Sequence, residues 1–244
     1  MKYAVYTGTR NLYGGMTTAA KSLIANSSVD RVFFLIEDRE FPEELPDLIE
    51  TIDVSKQTIF PSWSINANTP FTYMAMIRVC YTKFLPAEVD KILQLDVDTI
   101  CVDNVDAVWD TDLGDGWAAM VEEKLSRYKP YGPYYCNAGV TLLDLDKIRE
   151  THVDDKMIRF LNEQRAQYID QDAMNMFTKI APMELKFNEC FVTGYTEEPA
   201  IVHYAGVKDW QTSTRCPRRE YIKKYREMTW GEVLKNHKKK TRGK

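Results

Sequence analysis

Ile92-Leu93-Gln94-Leu95-Asp96-Val97-Asp98-Thr99-Ile100 is an apolar, strand-like run that ends on two carboxylates two residues apart. Side chains alternate along an extended chain, so Asp96 and Asp98 are expected on one face, with Val97 turned away, in reach of one divalent ion. Carboxylates and water suit Mg²⁺ or Mn²⁺, which bridge proteins to phosphate oxygens. Ligands of open α/β sheets sit beyond the strand carboxyl ends, so the segment predicts a nucleotide diphosphate at this strand end. Three other pairs share the spacing: Asp110 and Asp112, Asp144 and Asp146, Asp170 and Asp172. The first of these lies in a polar, turn-like segment and the second flanks a helix start, whereas Asp96 and Asp98 close a hydrophobic strand.

Around this strand the signals alternate. Strands are predicted over Tyr3 to Thr7 and Arg31 to Glu37, with a helix over Thr17 to Asn26 between them and another after Pro42. A helix from Phe71 to Phe84 precedes the Asp96 strand. Strands at Trp117 to Glu122 and Gly139 to Leu143, helices over Asp154 to Gln167 and Asp172 to Lys179, and a strand at Ala200 to Tyr204 follow. This βαβ rhythm implies a parallel sheet flanked by helices. Gly14-Gly15 follows the first strand but matches neither a dinucleotide-binding nor a phosphate-loop fingerprint, which counts against Rossmann dehydrogenases and P-loop enzymes.

The 244 residues carry a formal net charge of -4 that conceals a strong polarity. Residues 215–244 hold twelve Lys and Arg against three Glu, a net +9, which leaves residues 1–214 at -13. The chain therefore reads as one domain over 1–214 and a basic, aromatic-containing extension over 215–244. Tyr221, Tyr225 and Trp230, interleaved with basic residues, suit an anionic bilayer surface, and a frayed, solvated tail is the other reading of Lys235 to Lys244. The acidic body argues against nucleic acid. Five scattered cysteines without a C-x-x-C pair, no signal-peptide pattern and no long apolar span point to a cytoplasmic protein, peripheral at most to a membrane's inner face.

Several later residues gain meaning beside a nucleotide diphosphate. His203 ends an apolar strand just before Gly206, and an imidazole added to two carboxylates shifts preference from Mg²⁺ towards Mn²⁺. Asn137 precedes an apolar strand, where its amide can meet sugar hydroxyls. Asp170 and Gln171 precede a helix that Asp172 can cap, and Arg78, with Met74 one turn earlier, can face the site. Tyr13, in the loop leaving the first strand, offers a ring for a planar base.

Over residues 1 to 210 the chain resembles glycosyltransferase family 8, which includes glycogenin and bacterial lipopolysaccharide galactosyl- and glucosyltransferases. Four ordered motifs carry the likeness: the Leu85 to Ile100 segment, Cys136-Asn137-Ala-Gly139-Val, Asp170-Gln171-Asp172-Ala-Met-Asn175, and His203-Tyr-Ala-Gly206-Val-Lys208-Asp-Trp210. The resemblance implies a GT-A, Rossmann-like mixed sheet flanked by helices, a UDP-sugar donor, Mn²⁺ and retention of anomeric configuration. It implies Asp96, Asp98 and His203 as metal ligands and Tyr13 against uracil. Thr7, Val97, Arg78, Asn137, Gly206 and Lys208 would line the donor, with Asp170 and Gln171 at the reacting sugar. The last motif departs from the family pattern, being one residue shorter and carrying Asp209 where proline is usual, which bears on the reach of Lys208. Glu122 falls roughly where the family places an acid near the sugar.

The expected activity is metal-dependent transfer of a hexose, glucose or galactose, from UDP to a hydroxyl of a glycan, lipid or protein. A catalytically inert carbohydrate- or membrane-interaction module of the same fold is the rival, and an intact set of Asp96, Asp98, His203 and Gln171 counts against it. A nucleotidyltransferase would need a Gly-rich, basic triphosphate loop after the first strand, which the sequence lacks.

Overall fold

Strand β1 (Tyr3–Gly8) is almost wholly buried, as is β2 (Arg31–Ile36) beyond its first residue, and both read as continuous apolar runs because helices cover both faces of the sheet. The computed structural model describes residues 1–67, 69 and 72–241. Strands β3 (Ile49–Asp53), β4 (Lys91–Leu95), β6 (Ala118–Glu122), β7 (Cys136–Asp144) and β8 (Ile180–Pro182) complete a seven-stranded sheet in the order β3-β2-β1-β4-β7-β6-β8. β3, β2, β1 and β4 run parallel; β7 is antiparallel to both β4 and β6. The chain steps outward from β1 to β3 and then returns β4 to the other side of β1. The carboxyl ends of β1 and β4 thus flank a topological switch point, where such sheets bind ligands. A small second sheet pairs β5 (Thr99–Cys101) with β9 (Ile201–His203).

Helix α1 (Tyr13–Asn26) buries Met16, Ala19, Ala20, Leu23 and Ile24 against one face of the sheet. The other face is covered by α2 (Tyr73–Ile77), α3 (Leu145–Thr151), α4 (Val153–Glu163) and α5 (Ile169–Phe177). Asp144 caps α3, accepting from the Lys147 amide at 2.9 Å, as its place at a helix start suggests.

The structure corrects three expectations. No helix follows Pro42; that stretch is irregular and leads into β3, a strand the sequence reading missed because only Ile49 of its five residues is buried. The helix expected over Phe71 to Phe84 shrinks to α2 and a 3-10 turn at Tyr81–Lys83, because Cys80 leaves the helical region at φ -137°; Phe71 lies outside the described residues. The helix expected at Asp172 begins three residues earlier, so Asp170 and Gln171 sit in the first turn of α5 rather than ahead of it.

The basic extension is helical rather than frayed through Thr241, with α6 (Arg219–Glu227) and α7 (Trp230–Thr241) lying against α1. Ile222, Tyr225 and Val233 are buried there, the Tyr225 hydroxyl accepts from Asn26 at 2.6 Å, and His237 Nδ1 meets the Ser27 carbonyl at 3.0 Å. Lys21 sits over the Trp230 ring, 5.2 Å from its centroid. No helix among the described residues is long and apolar enough to cross a membrane. All five cysteines are buried free thiols.

Candidate functional site: a cation-ready cluster wired to a buried amide network

The two carboxylates converge for a reason other than strand alternation. β4 ends at Leu95, and Asp96 to Thr99 form a tight turn in which the Thr99 amide and hydroxyl both donate to the Asp96 carbonyl, at 3.2 and 2.7 Å. The turn delivers the chain into β5, whose antiparallel register sets Thr99 opposite His203 on β9. His203 is thereby brought to within 3.5 Å of Asp96 and 3.3 Å of Asp98 through Nε2. One ligand atom from each of Asp96, Asp98 and His203 lies within 4.8 Å of the others, and two carboxylates plus an imidazole form a donor set that fits a divalent cation.

Burial works against a charged His203, but the Asp98 and Asp96 carboxylates outweigh it and hold the imidazole's pKa well above its ordinary value. Asp98 resists desolvation through His203 and falls below the usual carboxylate range, whereas burial pushes Asp96 up. Arg78 caps the end of α2 and points into the same cluster. Its guanidinium lies 2.6 Å from Asp96 and 3.2 Å from Asp170, and donates to the Ala138 carbonyl at 2.8 Å. The approach to Asp170 is not aligned as a hydrogen bond, so Arg78 Nε and Asp170 Oδ2 are both buried without one. Burial and the neighbouring Asp96 charge push the Asp170 carboxyl up to about 6 against the pull of Arg78.

Pairing of β6 with β7 jumps between Met120 and Val121, where Met120 faces Thr141 but Val121 faces Asn137. This bulge takes Ala138 and Gly139 out of the β6 ladder and frees their backbone groups for the site. The Ala138 amide donates to Gln171 Oε1 at 3.0 Å, the Gly139 amide to Asn137 Oδ1 at 3.0 Å, and the Gly139 carbonyl accepts from the Asp96 amide at 2.8 Å. Asn137 Nδ2 donates to Glu123 at 2.8 Å and to Gln171 Oε1 at 3.2 Å, and Gln171 Nε2 also donates to Glu123, at 3.1 Å.

Two members of this network escaped the sequence reading. The acid beside Asn137 and Gln171 is Glu123, 4% exposed, whereas Glu122 pairs with Lys129 at 3.1 Å on the opposite side. Successive residues face opposite ways, and a bulge is not visible in a single sequence. Asn188 is fully buried and bonds His203 Nδ1 at 3.0 Å; it belongs to no motif and nothing in the sequence singles it out.

The remaining expected residues are placed as follows. Thr7 is the last residue but one of β1 and shares a hydrogen bond with the Tyr81 hydroxyl at 3.0 Å. Val97 sits half-buried in the turn from Asp96 to Thr99, its carbonyl close to Gly15. Tyr13 opens α1 rather than lying in the loop before it and is only 3% exposed: Phe41 packs on its ring with centroids 4.7 Å apart, covering the face expected to meet a base, and its hydroxyl donates to Asp38 at 3.0 Å. It lines a cleft of about 730 Å³ with Arg10, Asp38 and Phe41. Gly206 adopts φ +74°, a left-handed conformation that glycine accepts without strain, and Lys208 is exposed. Beyond it Trp210 stacks on Tyr204, with rings 5.6 Å apart and 9° from parallel, and closes this loop against Gly15.

A mixed sheet with an acid-acid-histidine cluster at its switch point has clear counterparts among known proteins. The chain belongs to glycosyl transferase family 8, whose description it matches over residues 4–214. It is 25% identical over 200 residues to general stress protein A of Bacillus subtilis, covering 66% of this chain and 68% of that one. It is 25% identical over 251 residues to the lipopolysaccharide 1,3-galactosyltransferase of Salmonella typhimurium, covering 86% and 73%. Some relatives are much longer: the chain spans 25% of glycosyltransferase GlyA of Streptococcus pneumoniae. Its fold superposes on a crystal structure of the galactosyltransferase LgtC with donor and acceptor sugar analogs at a TM-score of 0.71 and 23% identity, covering 96% of this chain and 99% of that one.

Proposed function

We propose that this chain transfers a hexose, glucose or galactose, from its UDP conjugate to an acceptor hydroxyl of a glycan, lipid or protein, with retention of anomeric configuration. The observation that carries the reading is the convergence of Asp96, Asp98 and His203 at the carboxyl end of β4, next to a buried network that holds Gln171. These three residues would hold Mn²⁺, with Mg²⁺ the alternative, and the bound ion supplies Lewis-acid stabilisation of the departing diphosphate.

The chain's own groups do the rest. Lys208 and the backbone around Gly206 face the diphosphate, and Thr7 and Val97 lie along the nucleoside, where Tyr13 would meet the base only once Phe41 leaves its ring. Asp170 Oδ2, buried without a hydrogen bond, suits a sugar hydroxyl, with the Arg78 guanidinium beside it. Gln171 is a neutral amide and a poor base. Its Oε1 accepts from the Ala138 amide and, at the longer distance, from Asn137; release of the Asn137 bond turns a lone pair to the sugar, where it opposes the positive charge that develops at the anomeric carbon. Residues 1–214 form the catalytic domain in this reading. The extension over 215–244 makes peripheral contact with an anionic membrane face.

The test is donor hydrolysis without acceptor, across UDP-glucose, UDP-galactose and UDP-GlcNAc, with Mn²⁺. Turnover of one hexose donor that stops with chelator supports the reading. Tight Mn²⁺-dependent UDP binding with no turnover of any donor, or a β-configured product from an α donor, sinks it.

A further inference from the structure

The amides around His203 have polarities that follow from backbone groups whose roles are fixed. The Gly139 N–H can only donate, and it lies 3.0 Å from Asn137 Oδ1, so that atom is the oxygen. The same oxygen lies 2.9 Å from an amide end of Asn188, which must therefore be its Nδ2. This turns Asn188 Oδ1 towards His203 Nδ1 at 3.0 Å, so Nδ1 carries the hydrogen. Only Nε2, the nitrogen beside Asp96 and Asp98, is then left to offer a lone pair to a cation.

We infer that Asn188 is the positioning residue of the metal centre: it fixes the orientation and tautomer of His203, and through Asn137 it links that histidine to Gln171. The inference rests on the metal-dependent reading above and adds a residue to it. Asn188 is suited to the task because it cannot move independently. Its amide donates to the Leu185 carbonyl at 3.0 Å and its carbonyl accepts from the Thr193 hydroxyl at 2.6 Å. The next residue, Glu189, exchanges backbone hydrogen bonds with β9 itself, donating to Ile201 at 3.0 Å and accepting from the His203 amide at 2.9 Å. The strand that carries the histidine and the turn that orients its ring are thus one rigid piece.

From Asn137 the chain of bonds continues through Glu123 to Gln171. A small rotation of the imidazole is thereby felt at the residue beside the sugar. Partners of a ligating histidine's second nitrogen raise its basicity and lock its direction, and their loss costs roughly 10- to 100-fold in metal affinity.

The experiment compares Mn²⁺ affinity of wild type, Asn188→Ala and Asn188→Asp by electron paramagnetic resonance, without donor. Asn188→Ala removes the acceptor and should weaken Mn²⁺ binding about 10- to 100-fold. Asn188→Asp keeps an oxygen facing Nδ1 and should stay within a few-fold of wild type. It cannot donate to Asn137, so its donor hydrolysis should fall further than its Mn²⁺ affinity. Wild-type Mn²⁺ affinity in the alanine variant, or an aspartate variant as weak as a folded alanine one, overturns the assignment. If Asn188→Ala does not fold, the aspartate variant decides: retained Mn²⁺ binding with slowed hydrolysis supports it, and lost binding refutes it. No Mn²⁺ binding by wild type sinks the metal reading itself, and this inference with it.

Discussion

Gly139 lies directly under the His203 imidazole: a Cβ on it would fall 2.1 Å from Cε1 and 2.4 Å from Nδ1. A histidine ring packed on bare backbone explains why the position after Ala138 holds glycine, with no appeal to turn conformation. Gly139→Ala should displace the ring and dismantle the cation site. The expected stability cost is about 1–3 kcal/mol, the usual range for overpacking. Mn²⁺-dependent donor hydrolysis should drop at least 100-fold, as a ligand displaced by about 1 Å allows. Circular dichroism melting beside the hydrolysis assay checks both, and an alanine variant with wild-type turnover would show that His203 is not needed there.

Gln171 and Asp96 should fail differently when truncated. Gln171→Ala removes a dipole that matters as charge develops, so kcat should fall with donor KM nearly unchanged. Asp96→Ala removes a metal ligand and a partner of Arg78, so donor binding should weaken as well. Steady-state kinetics of donor hydrolysis separate the two; a Gln171 variant altered in KM alone would place that residue in binding rather than catalysis.

Asp106 gives a pH prediction remote from the site. Partial burial raises its pKa, but Lys2, at 2.8 Å, and the Ser28 amide and hydroxyl, each at 2.8 Å, outweigh that and hold it below the usual carboxylate range. A group whose pKa is lower folded than unfolded contributes stability above its unfolded value, near 4, and loses it as pH falls through the folded value. Asp106→Asn should cost about 1 kcal/mol at pH 7, given partial screening of this partly exposed pair. Urea denaturation should show the gap between variant and wild type closing below about pH 4. A gap independent of pH would mean that the charge of Asp106 plays no part.

The extension makes a test of membrane contact that spares the fold. Lys235, Lys238 and Lys239 follow helical spacing along α7 and are exposed, whereas His237 and Val233 are the buried anchors. Substituting the three lysines by glutamine should reduce binding to anionic vesicles by about 3 kcal/mol at low salt, near 1 kcal/mol each, and leave donor hydrolysis intact. Co-sedimentation at low and high salt is the measurement. Equal binding by both proteins would remove the membrane from the account.

Much of this architecture was legible from residues because burial writes itself into composition. β1, β2 and β4 are apolar runs, and α1 and α4 sit close to where their patterns predict. β3 was missed since Glu50, Thr51 and Asp53 carry no strand-like apolar signature at the edge of a sheet. At the site, the Asp-x-Asp pair and His203 stand out by type and context, but a turn and a two-stranded sheet, not the alternation of a strand, bring them together. Glu123 and Asn188 stayed hidden because a bulge and a tertiary contact place them, and neither is encoded in local spacing.

Thermal stabilisation by UDP tests the central claim that Asp96, Asp98 and His203 form a cation-dependent donor site. Ligand at about 100 times its Kd adds roughly 2.7 kcal/mol to stability, which is on the order of 5–10 °C for a chain of this size. With Mn²⁺, UDP should raise the Tm of wild type by about that much, and with excess chelator it should barely move it. Asp98→Asn loses the ion pair with His203, so its ligand-free Tm should start below wild type, and it should show no shift from that value with both ligands present. An equal rise in chelator, or a full rise in the Asp98→Asn protein, would contradict the account.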